Sequence, residues 1–169
     1  MIKEMNRVGM VIDMSHSAEK STLEAIDISE RPIAITHANP SFFHNALRNK
    51  SDTVLRAIGE SEGMLGFSMY PFHLKNGSDC TLEDFCQMIA QTAEMIGIDR
   101  IGIGSDLCLN WDYKILEWMR SGRWTTSVDH GEGSADKLSW PEQPAWFKGT
   151  EDLHKVAKGL EDHGFKEAD

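Results

Sequence analysis

Two histidines close short apolar runs: His16 ends GMVIDMSH and His37 ends PIAITH. Two further runs close in the same manner, GMLGFSMY at Tyr70 and RIGIGSD at Asp106. Neutral imidazole is a good zinc ligand, and rigid strand ends fix ligand geometry at low entropic cost. A catalytic zinc ordinarily has three protein ligands, so two imidazoles fall short of one. The same pair also reads as hydrogen-bonded polar residues at strand ends, and spacing alone leaves both readings open. Asp13 lies three residues before His16. An odd separation along a strand puts it on the opposite face, which predicts a buried, hydrogen-bonding aspartate rather than a ligand. His44, His73, His130, His154 and His163 fall in loops or on the last helix and read as surface residues.

The elements that would position these groups follow from periodicity. Four short apolar runs, 9–15, 32–36, 63–70 and 100–105, read as buried parallel strands. A short helix over 2–7 stops at Gly9, and a helix over 17–28 takes Ser17 as its cap. The next spans 51–60 behind Ser51. The clearest runs over 81–96, with Thr81 and Asp84 at capping-box spacing and Leu82, Phe85, Ile89 and Met95 as its apolar stripe. Alternating strands and helices predict an α/β fold with a parallel sheet and right-handed crossovers. Four such units make half of an eight-stranded barrel or a small open sheet. In either, the carboxyl ends of the strands share one rim, where His16, His37, Tyr70 and Asp106 would meet.

The chain reads as one partial-barrel domain, with four strand–helix units over 1–110 and a different tail over 111–169. The tail is aromatic, Gly/Ser/Pro-rich text followed by a helix over 151–163, capped by Thr150 and stopped at Gly164. The length of 169 residues suits one domain. A net charge of −10 argues against nucleic acid or an anionic membrane as the main partner. No apolar run reaches membrane-spanning length, and the N-terminal text does not read as a signal peptide. Three cysteines without a C-x-x-C pair fit free thiols in a reducing compartment. A cytoplasmic location is therefore favoured, or a periplasmic or exported one if a leader precedes this sequence.

GMVIDMSHSAEKSTLEAI followed by RPIAITHANPSFFHNALRN resembles the membrane (renal) dipeptidase family of zinc peptidases. The family pattern passes from a strand ending D-x-S-H, through a strand ending S/T-H-S/A-N, to an R-N pair. GMLGFSMYP and IGIGSDL are similar to its later strands, and the likeness spans about residues 1–165. The resemblance implies the C-terminal half of a (β/α)8 barrel that hydrolyses dipeptides at a centre of two zinc ions. It implies that His16 and His37 bind one zinc, that Arg48 holds the substrate's terminal carboxylate, and that Asp106 handles protons near the scissile bond. Tyr70 matches an active-site tyrosine of the family.

The family's H-x-D ligand pair, bridging glutamate and further substrate-contacting histidine have no counterpart here, and Leu107-Cys108 stands where the family has F-D. The chain thus resembles a fragment holding one pair of zinc ligands, and the isolated chain is expected to have little activity. Half a barrel leaves two sheet edges open, which predicts a homo-oligomer or association with an N-terminal half. Two alternatives stand beside this: another α/β-barrel metal-dependent amidohydrolase, or a catalytically inactive half-barrel, either an interaction module or one chain of a split enzyme.

Overall fold

The structure, a computed structural model, describes residues 1–108, 114 and 141–168. Its strands are β1 (Ala34–Ile35), β2 (Met64–Phe67) and β3 (Ile101–Ile103), parallel and ordered β1-β2-β3. The register pairs Ile35 with Leu65 and Gly66 with Gly102. Leu65, Gly66 and Phe67 are all buried. A strand covered on both faces gives such a continuous apolar run rather than an alternating one.

The run over 9–15 does not form the expected strand. Only Asp13 bridges Ala34, in parallel, with Met14 N–H donating to Ala34 O and Ala34 N–H to Ile12 O. Ile12 and Met14 are buried, whereas Met10 and Val11 are 56% and 73% exposed. The apolar text is longer than the part that finds a partner, so the expected fourth strand is reduced to a single bridge.

Among the described residues the bounded α-helices are α1 (Ile2–Arg7), α2 (Glu19–Ile28), α3 (Asp52–Glu60), α4 (Leu82–Ile96) and α5 (Leu153–Asp162). Each packs on the next in chain order. Ser51 caps α3 by accepting from Val54 N–H. Thr81 caps α4 by accepting from Asp84 N–H, and its hydroxyl donates back to the Asp84 carboxylate at 2.8 Å. That closes a shorter version of the capping box, between the two side chains. Ser17 does not cap α2. Its hydroxyl lies against Met14 Sδ, and Ala18 takes the N-cap position without a side-chain bond. Nor does Thr150 cap α5: it lies in a 3₁₀ turn over Thr150–Asp152, and Asp152 precedes the helix.

The core lies between the sheet and the helices. Val54, Leu55 and Ile58 of α3 are fully buried, each side chain contributing about 1.5–3 kcal/mol by removal from water. The α4 stripe is Phe85, Cys86, Met88, Ile89, Thr92 and Ile96, while Leu82 and Met95 sit at its partly buried margin. Phe67 meets Phe85 edge to face at 6.4 Å, fixing α4 over β2. Trp146 packs on Phe85 and donates its indole N–H to Cys80 O, so residues after 141 return to the same core. The aromatic excursion expected over 111–140 lies outside the described residues, apart from residue 114. Among the described residues no helix is long and apolar enough to cross a membrane.

Candidate active site at the strand ends

The carboxyl ends of the strands lie side by side because the pairing is parallel and sequential. His16 follows the Asp13 bridge and His37 follows β1. Their Nε2 atoms face each other at 3.0 Å, with ring centroids 5.1 Å apart. Two nitrogens sharing one zinc at about 2.0–2.1 Å each stand close to that separation. The donor chemistry and spacing therefore fit two of the ligands of a shared ion. Among the described residues, no group of three or more His, Cys, Asp or Glu side chains is placed to hold a metal.

Two glycines make room for His37. A Cβ on Gly66 would come within 2.1 Å of Thr36 O, and one on Gly104 within 1.6 Å. The end of β1 therefore leans across backbone that carries no side chains.

Beneath the rings runs a polar network. Asp13 Oδ1 accepts from Ser15 N–H, Thr36 N–H and, at 2.5 Å, the Ser15 hydroxyl. Asp13 Oδ2 accepts the Thr36 hydroxyl at 2.7 Å. Burial works upward on the Asp13 carboxyl, but these hydrogen bonds outweigh it and hold the pKa at about 2. The expected hydrogen-bonding role for Asp13 stands, although the residue is exposed rather than buried.

Arg48 reaches the same place from the loop between β1 and α3. Its Nη1 donates to Ser15 O, and Nη2 is buried without a partner among the described residues. Burial lowers its pKa, opposed by Asp106 and then by Asp13. Burial also lowers that of His16, followed by the charges of Arg48 and His37, against Asp106 and Asp13. Asp106 follows β3 with φ of +56°, a left-handed conformation uncommon outside glycine, and Ser105 Oγ accepts from Leu107 N–H across the turn. His16, His37, Arg48 and Asp106 thus share one neighbourhood. Tyr70 packs instead on Phe72 and His73, with ring centroids 5.4 and 5.1 Å away.

His73 is not the surface residue expected of it. It is 3% exposed, and Ser68 Oγ lies 2.9 Å from its Nδ1. Its carbonyl accepts from both Asn39 and Asn49, and Asn39 also joins Ser68 N–H and O. Asn49 of the R-N pair is therefore a scaffold residue tying the loop to the end of β2. Sequence reasoning also passed over Lys50. Its buried ammonium donates to the carbonyls of Met14, Ser15 and Ser17 at 3.1, 3.0 and 2.9 Å, gripping the turn that carries His16. Burial, then Arg48, lowers its pKa to about 8, against Asp13. A lysine beside the R-N pair was visible in the sequence, but carbonyl partners leave no mark there.

An α/β protein whose polar groups collect where parallel strands end is the class that this arrangement defines. Within that class, the chain belongs to the membrane dipeptidase family, peptidase family M19, whose model matches residues 1–112. Dipeptidase tcpJ of Claviceps purpurea is 33% identical over 107 residues, covering 63% of this chain and 25% of that protein. The crystal structure of an amidohydrolase from Pseudomonas aeruginosa superposes with a TM-score of 0.84 at 29% identity, over 99% of this chain and 50% of that one. A metallo peptidase from Rhodobacter sphaeroides, liganded with a phosphinate mimic of the dipeptide L-Ala-D-Ala, gives a TM-score of 0.73 at 22% identity, over 99% and 40%. The chain thus spans about a quarter of the length of the curated relatives it matches and half or less of these solved ones.

Proposed function

We propose that this chain carries one half of a zinc dipeptidase active site, with His16 and His37 as two ligands of one metal ion. The observation that carries the reading is the facing pair of Nε2 atoms at 3.0 Å, set just beyond the parallel Asp13 bridge and the end of β1. Bound zinc would polarise the peptide carbonyl and lower the pKa of a bound water. Arg48 supplies a planar cation suited to a substrate carboxylate, and its Nη2, without a partner among the described residues, is a donor for that anion. Asp106, held at the rim, exchanges protons with the amine of the dipeptide. Tyr70, three residues beyond β2, would contact the substrate from that side by its position in the chain.

We read the architecture as half of a (β/α)8 barrel. Among the described residues strand order follows chain order and successive helices pack in a row, as in a barrel. Coverage of half the amidohydrolase chain supports the same reading. The complete site then needs groups from elsewhere, contributed by an N-terminal half or an associated chain.

Zinc titration of the 169-residue chain tests the ligand assignment. Binding is expected, with at least a tenfold loss in His16→Ala and in His37→Ala. Unchanged affinity in both variants refutes it. A dipeptide hydrolysis assay with added zinc is expected to give little or no amine release from this chain alone, and turnover equal to that of an intact dipeptidase would overturn the half-site reading. The amidohydrolase neighbour keeps a second reading alive, hydrolysis of a cyclic amide. Assaying both substrates once the chain is joined to a complementary half separates the two.

A further inference from the structure

We infer that Asp13 is a positioning residue that acts through the Thr36 hydroxyl to hold His37 in the Nδ1–H tautomer, leaving the Nε2 lone pair bare towards His16. The argument is a count of protons. Thr36 has one hydroxyl proton and two neighbours that could take it, Asp13 Oδ2 at 2.7 Å and His37 Nδ1 at 2.9 Å. The carboxylate wins, because a hydrogen bond to an ionised acceptor is about twice as strong as one between neutral groups. Asp13 is ionised at any pH of interest, its carboxyl held at about 2 against the upward push of burial by the donors around it.

Ser15 cannot change the count. Its own proton goes to Asp13 Oδ1 at 2.5 Å, and its oxygen accepts the His37 backbone N–H at 3.1 Å. The 3.1 Å approach of Ser15 Oγ to Thr36 Oγ1 therefore carries no proton from either side. What remains to Thr36 is a lone pair, so the 2.9 Å contact is made by a proton on His37 Nδ1. A neutral imidazole has one such proton, and Nε2 is then an acceptor. His16 Nε2–H donates to it across the 3.0 Å gap. When a cation replaces that proton, the ring needs no rearrangement at Nδ1.

The tautomer is independent of whether zinc is the natural ion. Only its use in ligation rests on the dipeptidase reading above. Carboxylate, hydroxyl and imidazole in series do the job that a carboxylate bonded directly to a ligating histidine does elsewhere.

The test is a long-range ¹H–¹⁵N correlation spectrum of the histidine-labelled chain in alkaline buffer, without metal. Native His37 is expected as Nδ1–H. In Asp13→Asn the amide donates to Thr36, the Thr36 proton turns to Nδ1, and the ring switches to Nε2–H. Thr36→Val removes the acceptor and is expected to switch it too, whereas Thr36→Ser keeps the hydroxyl and the native tautomer. Amide dispersion checks that each variant is folded. Native His37 found as Nε2–H, or Nδ1–H persisting in folded Asp13→Asn and Thr36→Val, overturns the inference. Zinc titration of the same variants is expected to show a loss of about 10–100-fold in Thr36→Val and none in Thr36→Ser. A native chain that binds no zinc sinks the ligand assignment, while the spectra still decide the tautomer.

Discussion

Lys50 joins a buried charge to three main-chain carbonyls; Met14 O and Ser15 O also accept from Ser17 N–H and Arg48 Nη1 respectively, so its removal costs those two one of their donors and takes the ammonium away from Ser17 O. Lys50→Met keeps the length of the stem and deletes the donors. Losing hydrogen bonds to a charged donor is costly, but two of the three carbonyls keep another donor, so the expected total is about 1–3 kcal/mol. Urea unfolding of the variant measures it, and a loss under about 0.5 kcal/mol would show that the grip is ornamental. His73 makes a second test at this scale. Burial first, then the charges of Arg48, His37, His16 and His44, depress its pKa from 6.5 to about 3. Between those values the unfolded chain binds a proton that the folded one does not, so stability is full above about pH 6.5 and falls as pH drops towards 3. One such group gives a slope of at most about 1.4 kcal/mol per pH unit. His73→Gln, which keeps a polar partner for Ser68, is expected to flatten the stability profile over that window. A profile as steep as the native one would assign the acid sensitivity to other groups.

Elements were readable in the sequence where their determinants are local. The starts of α3 and α4 follow from Ser51 and Thr81, because a cap bonds to an amide three residues away. The run over 9–15 misled because apolar text records what is able to be buried, not what finds a neighbour; only residues 12–14 reach Ala34. His73 and Lys50 misled for a related reason. Their surroundings are made by segments distant in sequence, such as the carbonyl of Met14, 36 positions before Lys50. The rim itself was legible, since parallel pairing sends every strand end to one side. What fixes β1 against its neighbours was not, and Gly104 is the sharpest case. With Thr36 O only 1.6 Å from a would-be Cβ, Gly104→Ala must push the end of β1 away. Overpacking against backbone, which has no rotamer to yield, is expected to cost about 3 kcal/mol or more. The same variant should separate the His16 and His37 rings. The inter-ring nuclear Overhauser effect of the native chain is then lost in a folded Gly104→Ala protein, and its survival would mean that β1 is placed by something else.

At the scale of the molecule the sheet has two edges among the described residues, where a closed barrel has none. β3 pairs only with β2 among the described residues, and Ile103 is 44% exposed on it. Beside it an apolar groove of about 350 Å³ runs between β3 and α5, lined by Phe67, Ile101, Ile103, Leu160 and Phe165. None of His16, His37, Arg48 or Asp106 lines it, so it is a structural surface rather than part of the candidate site. At the other edge Met10 and Val11 are exposed. Unpaired strand edges flanked by apolar side chains are templates for another chain. Against this stands the net charge of −10, which repels a second copy. The two effects differ in range and in response to salt. Charge repulsion between separated surfaces is screened within about 8 Å at physiological ionic strength, whereas apolar burial is not. Association is therefore expected, and it should strengthen as salt is raised. Size-exclusion chromatography with light scattering reads both. Ile103→Lys puts a charge on the edge of β3 at a position already half in water, so it should return the mass to that of a monomer without unfolding the chain. A native protein that stays monomeric and folded at high salt and high concentration would mean that both edges are tolerated in solution, and the expectation of a missing half would lose its physical basis.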